Sequence, residues 1–344
     1  MDTIQFTEDK ALDWRQLDGR ERGRLLRDAV YKAYADAQKV RRSQRVGPSW
    51  IGKECTRELW LKFRHADEPE VHEGRQLRLF ETGVQQEVRL IQDLRRVNAE
   101  VLDRDPNDAR KQISISSQRG HLFGFLDGAA RAVPFALYEW NVFEAKSHNA
   151  KNFAKLIKEG VQIAKPEHYA QMQLYMQQTT IPEAVYAAVC KDTDELHFEF
   201  VAYDKRYADR LSMKAGTIIE CQQAPPRIHE DASYFGCKFC RSKDVCHGRK
   251  RPGRLCRTCL HSKVVDDGKW SCVKHGAPDL SRDLQEKGCP SHLYLPSLVI
   301  GAEQIDADDT SVTYKLKDGR VWIDRGPAGD AAELEENGTR REGW

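Results

Sequence analysis

Glu144 and Lys146, within the stretch FEAKS, set a carboxylate and an ammonium group two residues apart. Alternate side chains of a β-strand leave the same face, so both reach one spot in space. Asp127, within GFLDG, ends the preceding strand-like stretch, which a hairpin would lay alongside. Two carboxylates from neighbouring strands suit a hard divalent cation such as Mg2+, which takes one or two carboxylates and keeps several waters. A lysine beside them orients or activates an attacking water and offsets charge developing on a phosphorus centre. Glu87 falls on the apolar stripe of Val84, Ile91 and Leu94 along a helix. A carboxylate there is costly unless something pairs with it, and a metal ion would do so.

The ten cysteines are the second source of chemistry, and eight of them are spaced like ligands. Cys237, Cys240 and Cys246 form C-x2-C-x5-C, one thiolate short of a closed site. Two groupings supply the fourth. In one, Cys237 and Cys240 join Cys256 and Cys259 as C-x2-C-x15-C-x2-C, a structural zinc spacing that leaves Cys55 without a role. In the other, Cys55 completes the triplet while Cys256, Cys259, Cys272 and Cys289 make a zinc-ribbon-like site for Zn2+. His261, His275 and His292 lie close to that second set. Cys272 and Cys289 are preferred to them, because a fully thiolate site needs no particular histidine tautomer. A centre tying residue 55 to residue 237 would also close a very long loop and act as a clasp. Cys190 and Cys221 lie far from either knuckle and read as buried thiols.

The elements that must position these groups follow from periodicity. Residues 15–40 have helical spacing and run into the basic cluster Lys39, Arg41, Arg42 and Arg45, and a second amphipathic helix spans Leu77 to Val97. Three strand-like stretches follow, KQISIS, HLFGFLDGAARAV and ALYEWNVFEAKS, then the helical PEHYAQMQLYMQQT and the strands EAVYAAVC and ELHFEFVAY. That order describes a mixed α/β core. HGRKRPGRL reads as a linker, and the Asp318-Gly319 pair as the turn of a hairpin in SVTYKLKDGRVWID. The expected division is an N-terminal helical segment (1–50), a clasped core (51–247), a cysteine module (248–300), and a hairpin with a polar tail (301–344). Among 344 residues, 55 Lys and Arg stand against 53 Asp and Glu, so any affinity for a polyanion must be local. The first residues lack an apolar leader and no run is long enough to cross a bilayer, so the expectation is a soluble cytoplasmic protein without membrane partners. No Gly-rich loop marks a flavin, nicotinamide or S-adenosylmethionine enzyme.

G-x-x-x-E (Gly83 to Glu87), G-x-x-D-G (Gly124 to Gly128), E-x-K (Glu144 to Lys146) and Q-x-x-x-Y (Gln171 to Tyr175), in this order, resemble the motif series of PD-(D/E)xK nucleases of the RecB-like branch. The resemblance implies a restriction-endonuclease-like core, a central mixed sheet flanked by helices, followed by the zinc-ribbon-like module. It implies that Asp127 and Glu144, helped by Glu87, bind catalytic Mg2+ or Mn2+ and that Lys146 is the catalytic lysine. Gln171 and Tyr175, one helical turn apart on one face, would line the site and touch the DNA backbone or orient the lysine. A lone early cysteine and a late C-x2-C-x5-C around the core are similar to the family's iron–sulfur members. That implies a [4Fe-4S] cluster on Cys55, Cys237, Cys240 and Cys246. Members acting in CRISPR adaptation often carry His where this chain has Glu87, which looks more like the phage recombination exonucleases. The implied activity is DNA hydrolysis, as an exonuclease of recombination or repair, phage-encoded and working in the host cytoplasm. Its partners would be single-stranded or end-bearing duplex DNA and a recombination or repair protein. Arg57, Lys151, Lys155 and Lys158, with Arg249, Lys250, Arg251 and Arg254, are candidate phosphate contacts. The competing class is a non-catalytic nucleic-acid-binding protein that keeps the two cysteine centres as scaffolding; an intact acid series separates the first class from it.

Overall fold

A computed structural model describes residues 14–327. The polar tail expected at the C-terminus lies largely outside the described residues. Two compact units divide the chain, residues 1–41 with 70–85, and residues 42–69 with 86–344. In the smaller unit, α1 (Gly19–Asp36) opens on a capping box, in which the Asp18 carboxylate accepts the Glu21 amide and the Glu21 side chain accepts the Asp18 amide. The Tyr34 hydroxyl donates to Glu81 at 2.5 Å, tying that helix to the first turns of the helix Gly74–Arg96.

In the larger unit, α2 (Pro48–Ile51) and α3 (Thr56–Phe63) precede the C-terminal part of α4 (Gly74–Arg96). Then come β1 (Glu100–Leu102), β2 (Ser114–Ser117), β3 (Leu122–Phe125), β4 (Gly128–Arg131) and β5 (Trp140–His148). Helices α5 (Ala150–Ala164) and α6 (Pro166–Thr179) carry the chain across to β6 (Glu183–Cys190), which β7 (Leu196–Ala202) and α7 (Lys205–Glu220) follow. The central sheet has the order β1-β4-β5-β6-β7, antiparallel except for β5 and β6. Those two are parallel because a helical crossover joins them, where the others are joined more directly. Every residue of β6 is buried, as a strand covered on both faces must be. Leu90, Ile91 and Leu94 of α4 pack on Phe143, Ala145 and Val185, while Phe153 and Leu156 of α5 with Met172 and Tyr175 of α6 pack on Val142, Ala184 and Tyr186. The fold is mixed α/β, a central mixed sheet flanked by helices.

The stretch HLFGFLDGAARAV is not one strand. It forms β3, paired with β2 in a separate hairpin, and β4 in the central sheet, with Leu126 and Asp127 as the step between. Helices α5 and α7 were not expected. Gly160 leaves helical geometry with φ 73°, and Glu199 accepts the next amide, Val161 N, at 2.8 Å, so the helical pattern is interrupted midway.

The remaining elements are short: α8 (Phe235–Lys238), α9 (Lys243–Cys246), the pair β8 (Ser262–Val264) and β9 (Trp270–Cys272), α10 (Arg282–Lys287), and a three-stranded sheet of β10 (Ala302–Ala307), β11 (Val312–Leu316) and β12 (Val321–Asp324). β11 and β12 form the hairpin expected at Asp318-Gly319. The stretch read as a linker is packed instead. Arg254 pairs with fully buried Asp324 at 2.9 Å, Arg251 lies 3.8 Å over the Trp322 ring, and Lys250 meets Glu68 at 2.7 Å. The cysteine module is seated on the core in the same way: buried Arg257 donates to Phe63 O at 3.1 Å and Gln44 O at 2.9 Å, and Trp270 packs against Phe63. Among the described residues no helix is long and apolar enough to cross a membrane.

Candidate functional site

Asp127 meets β5 directly. Its Oδ2 accepts the Ala145 amide at 2.8 Å, so it stands between Glu144 and Lys146 along that strand. The Lys146 ammonium lies 3.4 Å from Asp127 Oδ2, donates to Ala145 O at 3.0 Å and donates to Glu144 Oε1. Glu144 has no exposed surface, and its Oε2 has no hydrogen-bond partner. Burial pushes the Glu144 carboxyl above its ordinary pKa, and neighbouring Asp127 adds to the push. Burial alone would lower Lys146, but Glu144 and Asp127 outweigh it and hold the ammonium charged. Glu87 is half-buried; desolvation and then Asp127 raise its carboxyl, while Lys146 opposes them, so its charge is felt at the same spot. Asp127 and Glu144 ion-pair with Lys146, and Glu87 lies within electrostatic reach of them, so the cluster carries more negative than positive charge, with one buried carboxylate oxygen unclaimed.

Gln171 and Tyr175 are buried, at 6 % and 2 % exposure, and Tyr175 lies within electrostatic reach of Glu144 and Asp127. Gln171 Nε2 donates to the Tyr175 hydroxyl at 3.1 Å, and that hydroxyl donates to Phe125 O at 2.6 Å. These bonds tie α6 to the end of β3, two residues before Asp127. Sequence reasoning missed a second layer. The Tyr186 hydroxyl stands 2.9 Å from His148 Nε2 and 2.8 Å from His168 Nδ1. Burial drives both imidazoles far below their usual pKa, to about 4 and about 3. The signal was present: His148 continues the alternate-residue series of Glu144 and Lys146, and His168 precedes Gln171 by one helical turn.

All ten cysteines are free thiols. Cys55, Cys237, Cys240 and Cys246 line one small cavity. Cys256, Cys259, Cys272 and Cys289 line another, together with His261, His275 and His292. Cys237 and Cys240 line the first of these cavities, and Cys256 and Cys259 the second. Cys55 caps α3, its sulfur accepting the Glu58 amide at 3.4 Å. Burial raises Cys240 to about 12, with Glu58, Cys55 and Cys246 adding to it, and raises Cys256 to about 11, with Cys289, Cys259 and Cys272 adding to it. Within each set the thiolates oppose one another's charge, and a bound cation would reverse that opposition. His275 Nε2 lies 3.7 Å from Cys289 Sγ, whereas His292 is engaged by Thr258 and Arg254. Among the described residues no three His, Cys, Asp or Glu side chains stand in ready metal-ligating geometry.

Of the expected phosphate contacts, Lys151, Lys155 and Lys158 are exposed on α5, with Lys155 3.6 Å from Glu159. Arg57 is not a surface cation. It is 8 % exposed, donates to Pro225 O at 3.0 Å, and lies beside the first cysteine cavity within reach of Cys246 and Cys55.

No protein-family model matches the chain, and no curated protein matches it. Among solved structures it is similar to an alkaline exonuclease, LHK-Exo, from Laribacter hongkongensis, at 14% identity and a TM-score of 0.38, over 54% of this chain and 90% of that one. The same figures hold for LHK-Exo in complex with dAMP. SSO0001 is similar at 13% identity and a TM-score of 0.36, over 64% of this chain and 96% of that one. Likenesses this slight say nothing of chemistry, which rests on the side chains themselves.

Proposed function

We propose that this protein is a metal-dependent DNA nuclease of the PD-(D/E)xK type, an exonuclease of recombination or repair such as a phage encodes. The observation that carries the reading is the convergence of Asp127, Glu144 and Lys146, with Glu144 fully buried and one of its oxygens unpartnered. Asp127 and Glu144, with Glu87, would hold Mg2+ or Mn2+, which when bound supplies a Lewis acid at the phosphate and a water of lowered pKa. Lys146, held charged beside Glu144 and Asp127, would orient the attacking water and face the charge that builds on the phosphate oxygens. Tyr175 and Gln171 keep Asp127 in place by fixing the Phe125 carbonyl. The exposed Lys151 and Lys155 lie in the first two turns of α5, which follows β5, and suit non-specific phosphate contact.

The two cysteine cavities support resident metal. Four cysteines at the first, with His247 beside them, would suit a [4Fe-4S] cluster, and four cysteines at the second would suit structural Zn2+. A centre at the first would join Cys55, at the start of α3, to Cys237, Cys240 and Cys246 far along the chain.

A time course on end-labelled single- and double-stranded DNA with Mg2+, Mn2+ or EDTA tests the activity. Cleavage should require the divalent ion, and Asp127→Asn and Glu144→Gln should each abolish it while DNA binding persists. Full cleavage by either variant, with contamination excluded, ends the assignment.

A further inference from the structure

Phe123 and Phe125 are alternate residues of β3 and share its outward face, opposite Leu122 and Gly124, which face the core. The two rings meet edge to face, with centroids 5.0 Å apart and planes at 89°. The Arg45 guanidinium lies 4.6 Å over the Phe123 ring. Opposite them across the hairpin stand Ser114 and Ser116, both exposed. Phe125 itself is 48 % exposed. About half of this large aromatic side chain remains in water at the end of a strand, where that area gains nothing from burial.

Its position is nonetheless fixed with care. The Tyr175 hydroxyl takes the Phe125 carbonyl at 2.6 Å, and the next amide, Leu126 N, donates to Ile113 O at 2.9 Å. Two residues further on is Asp127, so the Cα atoms of Phe125 and Asp127 are at most about 7 Å apart. Gly124 is required between the two rings because a Cβ there would come within 2.7 Å of Pro48 and 3.3 Å of the Tyr175 hydroxyl.

Resting on the nuclease reading above, we propose that Phe125, backed by Phe123 and Arg45, is a stacking platform for the bases of single-stranded DNA next to the phosphate to be cut. Every base has a π-face, so such a platform holds a strand without reading its sequence. Arg45 adds positive charge at the edge of the aromatic pair, where the sugar-phosphate chain of a stacked strand must pass. The platform selects unpaired bases, since a base still in the duplex has both faces covered. That makes this site one for a single-stranded end rather than for intact duplex.

The test uses full-length Glu144→Gln protein, so that the strand is bound and not consumed. Anisotropy of a labelled single-stranded oligonucleotide is compared with that of the same strand carrying consecutive abasic sites. Phe125→Ala should weaken binding of the normal strand by about 5- to 150-fold, the loss of one stacked base. It should also remove the difference between the strands by bringing the normal strand down to the abasic strand's affinity while leaving that affinity unchanged, which a loss of general folding would not do. Phe125→Trp should restore that difference, and the added tryptophan's fluorescence should be quenched by the normal strand and not by the abasic one. Phe135→Ala, at a 94 % exposed ring in the β4–β5 loop, should match the parent. If Phe125→Ala binds both strands as the parent does while the wild-type enzyme cuts DNA, the platform is wrong and the nuclease reading stands. If the parent binds no DNA and the wild type cuts none, both fall.

Discussion

Tyr175→Phe removes one oxygen from a fully enclosed position and leaves the ring's packing unchanged. The hydroxyl joins two groups: it donates to Phe125 O at 2.6 Å and accepts from Gln171 Nε2 at 3.1 Å. Without it the Gln171 amide loses a partner inside a residue only 6 % exposed, and the Phe125 carbonyl loses its tie to α6. A buried polar group left unsatisfied costs about 1–3 kcal/mol, and the Phe125 carbonyl, nearer to water, costs less, so the substitution should destabilise by about 2–3 kcal/mol. Urea denaturation measures this directly, and thermal unfolding should show a fall of roughly 5–10 °C. Turnover on DNA should drop by roughly 10- to 100-fold, because Asp127 sits two residues from the loosened carbonyl and small displacements of a reacting group are expensive. Affinity for an abasic single strand, which the Phe125 ring does not stack on, should change little. Combined with Gln171→Leu, the loss should be less than the sum of the single losses, since the two residues share one bond. A stability change under about 0.5 kcal/mol would refute the tie. A loss of affinity for the abasic strand at unchanged stability would mean that the hydroxyl touches substrate instead.

Cys55→Ser should bleach the brown colour and remove the roughly four irons per chain expected of anaerobically purified protein. Cys190→Ser, far from the cavity, should leave both; full iron in Cys55→Ser overturns the ligand assignment. Cys256→Ser and Cys259→Ser should each lose about one zinc per chain by metal analysis, with the iron unaffected, and zinc persisting in both would show that the second set is not a site. Arg254→Met strips the partner from Asp324, which has no exposed surface. Even with its amide contacts from Tyr294 and Gly326 the stranded carboxylate should cost about 3–5 kcal/mol in a denaturation experiment, and a cost near zero would show that the amides suffice.

The acid cluster was legible because it depends on short-range rules. Glu144 and Lys146 share a face by the period of a strand, and Asp127 is only 18 residues from the amide that it accepts. The break between β3 and β4 was not legible. Leu126 stays extended and paired to Ile113, and no proline marks the change of sheet. Helices α5 and α7 escaped for different reasons, the first because Gly160 interrupts its pattern, the second because its apolar residues Leu211, Ala215 and Ile218 are diluted by charge. Charged residues were the least readable of all. Arg57 finds Pro225 at a separation of 168 residues, and Arg254 finds Asp324 across a whole small sheet, so neither burial is implied by its neighbours in sequence. Surface and interior arginines look alike until the fold supplies the partner.

Arg257 also sets a schedule. It donates to the carbonyl of Phe63, 194 residues earlier, and the Trp270 ring that covers Phe63 arrives later still. At about 5–20 residues per second of synthesis, α3 therefore waits roughly 10–40 s between its own emergence and that of its cover. During that interval Leu59 and Phe63 present an apolar face with nothing against it from the C-terminal side. The central sheet, complete by residue 202, can form before then. A newly made chain thus passes through a stage with its acids assembled and one flank uncovered, in which a holding chaperone or rapid synthesis decides how much of it reaches the finished state.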